Sequence, residues 1–298
     1  WARGEDMRHD VCRPAAVARM GGFIRGGFAQ GLDGRVAAPS VTRQSLKRLS
    51  GFAAPGADKG HVEGMFNQPY AIPNYRVTGH LTDLAVPVGS WRSVGNSFNA
   101  FFMESFIDEM AHAARRDPLA FRLDLARREH APSAAVLEAV ADMSNWTGAT
   151  GDGVGRGVAM TYSFHTPCAV VVEVRDRDGD VSIDRAWVAC DVGTALDPGI
   201  IRQQMEGGVI FGLSAAAMEE ITFEGGEVQQ WNFPDHDALR LQNSPQIEVR
   251  ILETQDHMGG VGEPAVPPSM PALANAVFDL TGERIRDLPL SRRVSFVL

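Results

Sequence analysis

The apolar residues change their spacing near the middle of the chain, and that change limits the fold more than any single residue does. In "NSFNAFFMESFIDEMAHAARRDPLAF", Phe102, Phe106, Met110 and Ala113 recur every three to four positions and predict one face of a helix. Asp117 followed by Pro118 predicts a helix restart, an N-cap with proline at the first helical position. Phe121 and Leu125 continue the stripe, and Ser133 is expected to cap a third helix carrying Leu137, Val140 and Ala141. Beyond the glycine-rich "GATGDGVGRG" (148–157) the pattern becomes extended. "AVVVEVRDRDGDVSIDRAWVACDVG" reads as two strands joined by an Asp/Gly turn. A helical block followed by a β-rich one predicts an α+β protein of two units, residues 1–150 and 151–298.

Further along, Asp197-Pro198 opens another helix by the same cap logic. Gly207, Gly208 and Gly212 lie inside it and are expected to allow close backbone packing, since each weakens a helix by about 1 kcal/mol relative to alanine. "TFEGGEV" predicts a hairpin, and "QIEVRIL" alternates Ile247, Val249 and Ile251 with polar residues, a half-buried strand. Residues 1 to about 79 show little periodicity and predict short strands with loops, the basic residues from Arg35 to Arg48 forming a solvated face.

Composition excludes several classes. The formal net charge of −9 argues against nucleic acid as the main partner. No apolar run is long enough to cross a bilayer. Cys12, Cys168 and Cys190 include no C-x-x-C pair, so neither a zinc knuckle nor an iron–sulfur cluster is expected within the chain, and three sparse cysteines do not form a disulfide framework. No Lys-Ser/Thr follows the glycine-rich stretch, which excludes a P-loop. The opening "WARGEDMRHD" resembles neither a signal peptide nor a natural start, and the chain looks cut from a longer polypeptide.

The stretch "GGVGEPAVPPSMPALANAVFDLTG" holds the principal candidate. A strand leads into a glycine loop and then a helix with Met270, Leu273, Val277 and Leu280 on one face, prolines 267 and 268 in its first turn and Gly282 at its stop. Glu263 stands alone in that loop. It is either a solvated loop charge or a pre-positioned general base, with Gly262 allowing close approach of a bulky group and Pro264 stiffening the far side.

"VPVGSWRSVGNSFNAFFMESFIDEMAHAARRDPLAFRL", "VACDVGTALDPGIIRQQMEGGVIFGLSAAAMEE" and "GGVGEPAVPPSMPALANAVFDLTGERIRDLPL", in that order, resemble the molybdopterin-binding subunits of the xanthine oxidase and aldehyde oxidoreductase family, of the isoquinoline 1-oxidoreductase type. The resemblance implies two mixed α/β domains of the molybdenum-cofactor-binding type. It implies that Glu263 acts as general base beside the molybdenum, and that the "WRSVGNS" loop, with Arg92, Ser93, Val94 and Gly95, packs against the cofactor together with Gly262. Arg92 would offer forked donors to an anionic oxo group, or else form a structural salt bridge. His165 and Cys168 in "YSFHTPC" would shape substrate access; their alternative is ordinary packing. His112, beside Glu109, reads as a surface or satisfied histidine.

The cofactor implied is molybdenum–molybdopterin in its cytosine dinucleotide form. It would be held mostly by an N-terminal portion of the same subunit, because the family's Gly-Gln-Gly loop is absent here, and this chain would be the C-terminal portion. The partners implied are that portion, a small subunit carrying 2Fe-2S clusters and a cytochrome c acceptor. The small-molecule substrate would be an isoquinoline-like N-heteroaromatic or an aldehyde. The absence of a cysteine in "WRSVGNS" favours hydroxylation over carbon monoxide oxidation. Two other classes stay open: a non-catalytic assembly or docking piece of such a complex, and an unrelated two-domain binding protein.

Overall fold

The computed structural model describes residues 2–53 and 55–297. Trp1, with which the sequence opens, lies outside them. A short helix α1 (Arg3–His9) precedes strands β1 (Val17–Arg25) and β2 (Phe28–Ala38), antiparallel partners joined through Gly26 and Gly27 at φ 59° and 80°. Strand β3 (Asn74–Leu81) joins β2 in parallel. Between β2 and β3 the expected loop contains a helix, α2 (Val41–Ser50). Its signals are local: Ser40 accepts the Arg43 N–H at 3.0 Å, and Gly51 stops the helix in the left-handed conformation. Arg43, Lys47 and Arg48 lie on α2, none of whose residues is buried, so the basic stretch is solvated as expected.

Helices α3 (Val94–Ala113), α4 (Pro118–Glu129) and α5 (Ala131–Ser144) follow. Asp117 caps α4 by accepting the Ala120 N–H at 2.7 Å. Ser133 does not cap α5. Pro132 suits the first helical turn, so α5 starts earlier, with His130 at the cap and Ser133 buried inside, its hydroxyl 2.8 Å from His130 Nδ1. The expected core stripe of α3 also shifts. Phe102 and Phe106 are half-buried and Ala113 is exposed, while Phe98, Phe101, Met103, Ile107 and Met110 are buried. The helix packs on β1, α4 and the C-terminal helix at once, so its buried surface is wider than one stripe.

Strands β4 (Val154–Ser163), β5 (Thr166–Arg177) and β6 (Asp180–Asp191) form an antiparallel meander, with Asp178 and Gly179 at φ 58° and 99° in the β5–β6 turn. After α6 (Pro198–Ala217) and the hairpin β7 (Phe223–Glu224) and β8 (Glu227–Val228), strand β9 (Gln246–Leu252) adds parallel to β6. The last helix is α7 (Val266–Thr281). The result is a mixed α+β fold.

Both faces of β5 and β6 are covered, which explains their unbroken apolar runs. Val170, Val172, Val188 and Cys190 face α6 and α7, whereas Ala169, Val171, Trp187 and Ala189 face α5. The glycine-rich link at 148–157 separates α5 from β4 in sequence, yet α5 lies directly on β5 and β6. Glycines bring α7 close to its neighbours. A Cβ on Gly157 would lie 2.2 Å from Ala272 O and 2.2 Å from Ala276 N, and one on Gly155 would lie 2.4 Å from Ala276 O. A Cβ on Gly212 would lie 2.7 Å from Val266 O, and one on Gly208 3.0 Å from the Ala265 Cβ. So β4 and α6 grip α7 from two sides and fix where the Glu263 loop enters it.

A buried ion network ties α3 to α4 and to the segment that follows α7. Arg122 meets Glu104 at 2.8 Å and Asp108 at 3.4 Å, and Arg284 meets Asp108 at 2.6 Å. His112 lies 3.4 Å from the same Asp108, the satisfied surface histidine expected.

Candidate active site

The Glu263 loop is pinned at both ends. At its upstream end the buried Asp191, the last residue of β6, accepts the N–H of Thr254 at 3.0 Å and that of Gly193 at 3.1 Å. The Gln255 amide donates to the carbonyls of Asp191 and His165, each at 2.9 Å. Gly259 N–H donates to Val192 O at 3.1 Å, Gly260 N–H to Phe164 O at 2.8 Å, and the Thr166 hydroxyl to Gly260 O at 2.7 Å. A Cβ on Gly259 would fall 2.0 Å from the Thr166 oxygen, so only glycine fits there.

At the downstream end the "WRSV" turn takes hold. The Ser93 hydroxyl donates to the Glu263 carbonyl at 2.9 Å, and Val266 N–H donates to the same oxygen at 3.0 Å. Arg92 Nε donates to the Gly262 carbonyl at 2.9 Å. Its Nη2 reaches that carbonyl too and donates to Gln204 Oε1 at 3.0 Å. Ser93 and Val94 both adopt left-handed backbone, at φ 74° and 42°. For a β-branched valine this is a costly conformation, on the order of 1–3 kcal/mol. It turns the chain into α3 while leaving the Ser93 hydroxyl on Glu263.

The structure thus brings Arg92, Ser93, Gly262 and Glu263 together. Their roles differ from the expectation in part. The Arg92 fork forms neither a salt bridge nor a free anion clamp: its donors go to Gly262 O and Gln204. Gly95 is required by protein, since a Cβ there would fall 1.9 Å from Gly60 O. Gly262 is the opposite case: a Cβ there would meet nothing within 4 Å among the described residues. The Glu263 backbone is held, but its half-buried carboxylate accepts no hydrogen bond among the described residues.

His165 is exposed at the β4–β5 turn, with φ 62° and its ring 5.7 Å from that of His257 on the Glu263 loop. Cys168 is not brought to the loop. It faces the α6–α7 core, fully buried because both faces of β5 are covered, and burial raises its thiol pKa well above the ordinary value. Two groups carried no sequence signal. Gln204 joins Arg92 from α6, and Trp91 stacks between Arg13, at 3.9 Å, and Phe211, at 4.6 Å.

Residues 105–245 match the family described as Molybdopterin cofactor-binding domain. Over 97% of its length the chain is 33% identical to the beta chain of isoquinoline 1-oxidoreductase from Brevundimonas diminuta. The chain belongs to the family of these molybdopterin-binding subunits. It is also 33% identical, over 75% of its length, to a nicotinate dehydrogenase subunit of Pseudomonas putida. The chain spans 38% of the first relative and 20% of the second. The crystal structure of quinoline 2-oxidoreductase from Pseudomonas putida 86 shares its fold, with a TM-score of 0.78 over 97% of this chain and 62% of that one, at 13% identity. The family match ends before Glu263 and begins after Gly95, so the two joined loops flank the matched segment.

Proposed function

We propose that the chain is the part of a molybdenum hydroxylase catalytic subunit that carries the general base, Glu263. The reaction would hydroxylate an electron-poor carbon of an isoquinoline-like N-heteroaromatic, or oxidise an aldehyde. Water supplies the oxygen, and two electrons and two protons leave. One observation carries this reading: two loops 170 residues apart are locked through Ser93 and Glu263, while the Glu263 carboxylate has no partner among the described residues.

The residues fit such a cofactor. Among the described residues nothing lies within 4 Å of a Cβ built on Gly262, and the Glu263 carboxylate beside it accepts no hydrogen bond. When bound beside Gly262 and Glu263, the molybdenum group would supply a two-electron sink and polarise the water. The chain's own residues hold and move the proton. Glu263 takes it from the water as the new carbon–oxygen bond forms. Arg92 and Ser93 fix the carbonyls of Gly262 and Glu263, so the carboxylate swings only about its own side-chain bonds. His165, exposed beside the loop, shapes substrate entry. The cofactor would be the cytosine dinucleotide form, shared with the rest of the subunit. Electrons would pass to a small 2Fe-2S subunit and then to a cytochrome c. The unpaired carboxylate favours this over a non-catalytic docking piece, for which a buried-rim charge has no use.

The test is assembly. Co-expressed with the remainder of its subunit and an iron–sulfur subunit, the chain should copurify with about one molybdenum and convert isoquinoline or an aromatic aldehyde with 18O taken from water. A complex that forms without molybdenum or pterin would leave the docking reading standing.

Arg92→Lys probes the clamp. Lysine keeps the charge but lacks the planar fork, so it cannot hold Gly262 O and Gln204 together. Turnover should fall by about tenfold or more, while the melting temperature drops by only about 2–4 °C, the equivalent of roughly 1 kcal/mol. A large stability loss with a normal rate per folded molecule would make Arg92 a purely structural residue.

A further inference from the structure

A cleft of about 720 Å3 runs between the start of β1, helix α3 and the segment 286–292. In the sheet order β1–β2–β3, β1 is an edge strand. Residues 13–20 all line the cleft, so the strand turns its edge toward it rather than one face. Among the described residues no backbone group of residues 14–20 finds a partner outside β2. Edge strands are commonly blunted by charge, yet Arg19 is the only charged residue between positions 15 and 20.

The facing wall is aromatic. Phe98, Phe102 and Phe106 recur every four residues along α3, and Phe101 lies beside them, its ring centroid 6.0 Å from that of Phe102. Eight residues of helix make a floor of about 12 Å, the length of about four residues of extended chain. One end of the floor is closed by the Glu109–Arg286 ion pair at 2.8 Å. Arg13 stands at the other end. Its guanidinium lies 3.9 Å from the Trp91 ring, and its Nη2 lies 3.6 Å from Met270 Sδ, a weak acceptor. No carboxylate forms an ion pair with it among the described residues. Burial pulls its pKa down to about 10, which the charge of Glu219 opposes only in part. A cation left in this state calls for an anion. Beyond Arg13 the backbone is already paired: Cys12 N–H donates to Pro87 O at 2.8 Å, and Gly89 N–H to Cys12 O at 3.1 Å. A strand laid along β1 has to stop beside Arg13.

We propose that this cleft receives the C-terminal end of a partner polypeptide. About four apolar, strand-forming residues add to the open edge of β1, alternate side chains rest on the phenyl rings of α3, and the terminal carboxylate meets Arg13. A terminus fits where a continuing chain does not, because the 87–89 segment occupies the backbone past Arg13. The direction follows as well. The carboxylate lies at the start of β1, so the added strand runs antiparallel to it. The proposal does not rest on the redox reading, because its readout is binding to the full chain without turnover.

The probe is the peptide acetyl-KTVTVTV with a free C-terminus. Its controls are the same peptide as a C-terminal amide and acetyl-KTVPVTV, whose proline cannot complete a strand. By calorimetry the free acid should bind saturably, the amide about tenfold or more weaker, and the proline peptide weaker still. Amide hydrogen exchange in residues 15–20 should slow when the free acid is bound. Arg13→Gln, with its fold checked by melting temperature, should bind acid and amide alike. No binding of the free acid, equal binding of acid and amide by the parent, exchange in residues 15–20 unchanged by bound peptide, or a preference for the acid that survives in folded Arg13→Gln overturns the proposal. So does decanoate binding as tightly as the peptide, since the cleft would then be a site for a small carboxylate.

Discussion

Glu263→Gln in the assembled enzyme should lower kcat by about 10²–10⁴ while molybdenum and pterin content stay at the parent level. The amide keeps the size of the side chain and cannot accept the proton. The backbone contacts of residue 263, to Ser93 and Val266, do not involve the side chain and survive the change. The loop should therefore keep its place, and the loss should fall on the chemical step. Single-turnover reduction of the fully loaded variant, followed spectroscopically, separates that step from product release. A variant with full cofactor that turns over within a few-fold of the parent would make Glu263 an ordinary loop carboxylate.

Gly157→Ala should cost about 3 kcal/mol of stability or more, for a different reason. The added methyl would lie 2.2 Å from Ala272 O and from Ala276 N, backbone atoms of α7 that cannot rotate aside. The helix must lift off β4. Urea denaturation should show an earlier midpoint, and the melting temperature should fall by about 5–10 °C. Gly207→Ala is the internal control. A Cβ there meets nothing within 4 Å, and alanine favours helix by about 1 kcal/mol, so that variant should be neutral or more stable. Equal midpoints for the two variants would mean that α7 has slack against the sheet.

What could be seen in the sequence was local. Asp117-Pro118 and Asp197-Pro198 open α4 and α6, Asp178-Gly179 makes the β5–β6 turn, and Gly282 stops α7, because caps and turns are settled within four residues. The joining of the "WRSV" and "GVGE" loops followed from resemblance; no spacing rule links residues 92–93 to 262–263. The misses lie where distant packing decides. Ser133 lost the cap to a proline one residue earlier. Phe102 and Phe106 look like core by period, but α3 buries other faces against β1, α4 and α7. Cys168 sits three residues from the exposed His165, yet it already lies on β5, where helices cover both faces of the sheet. Gln204 matters only through a partner far away in sequence, Arg92, which no local pattern announces.

The clamp between Ser93 and Glu263 also sets a clock. Its two halves are separated by 170 residues of chain. A ribosome adding about 5–20 residues per second needs roughly 10–30 s to deliver the second half after the first. During that interval the Ser93–Val94 turn has no Glu263 carbonyl to hold. Anything that inspects the nascent protein for a finished site, or fills it, has to wait for translation to reach the last helix.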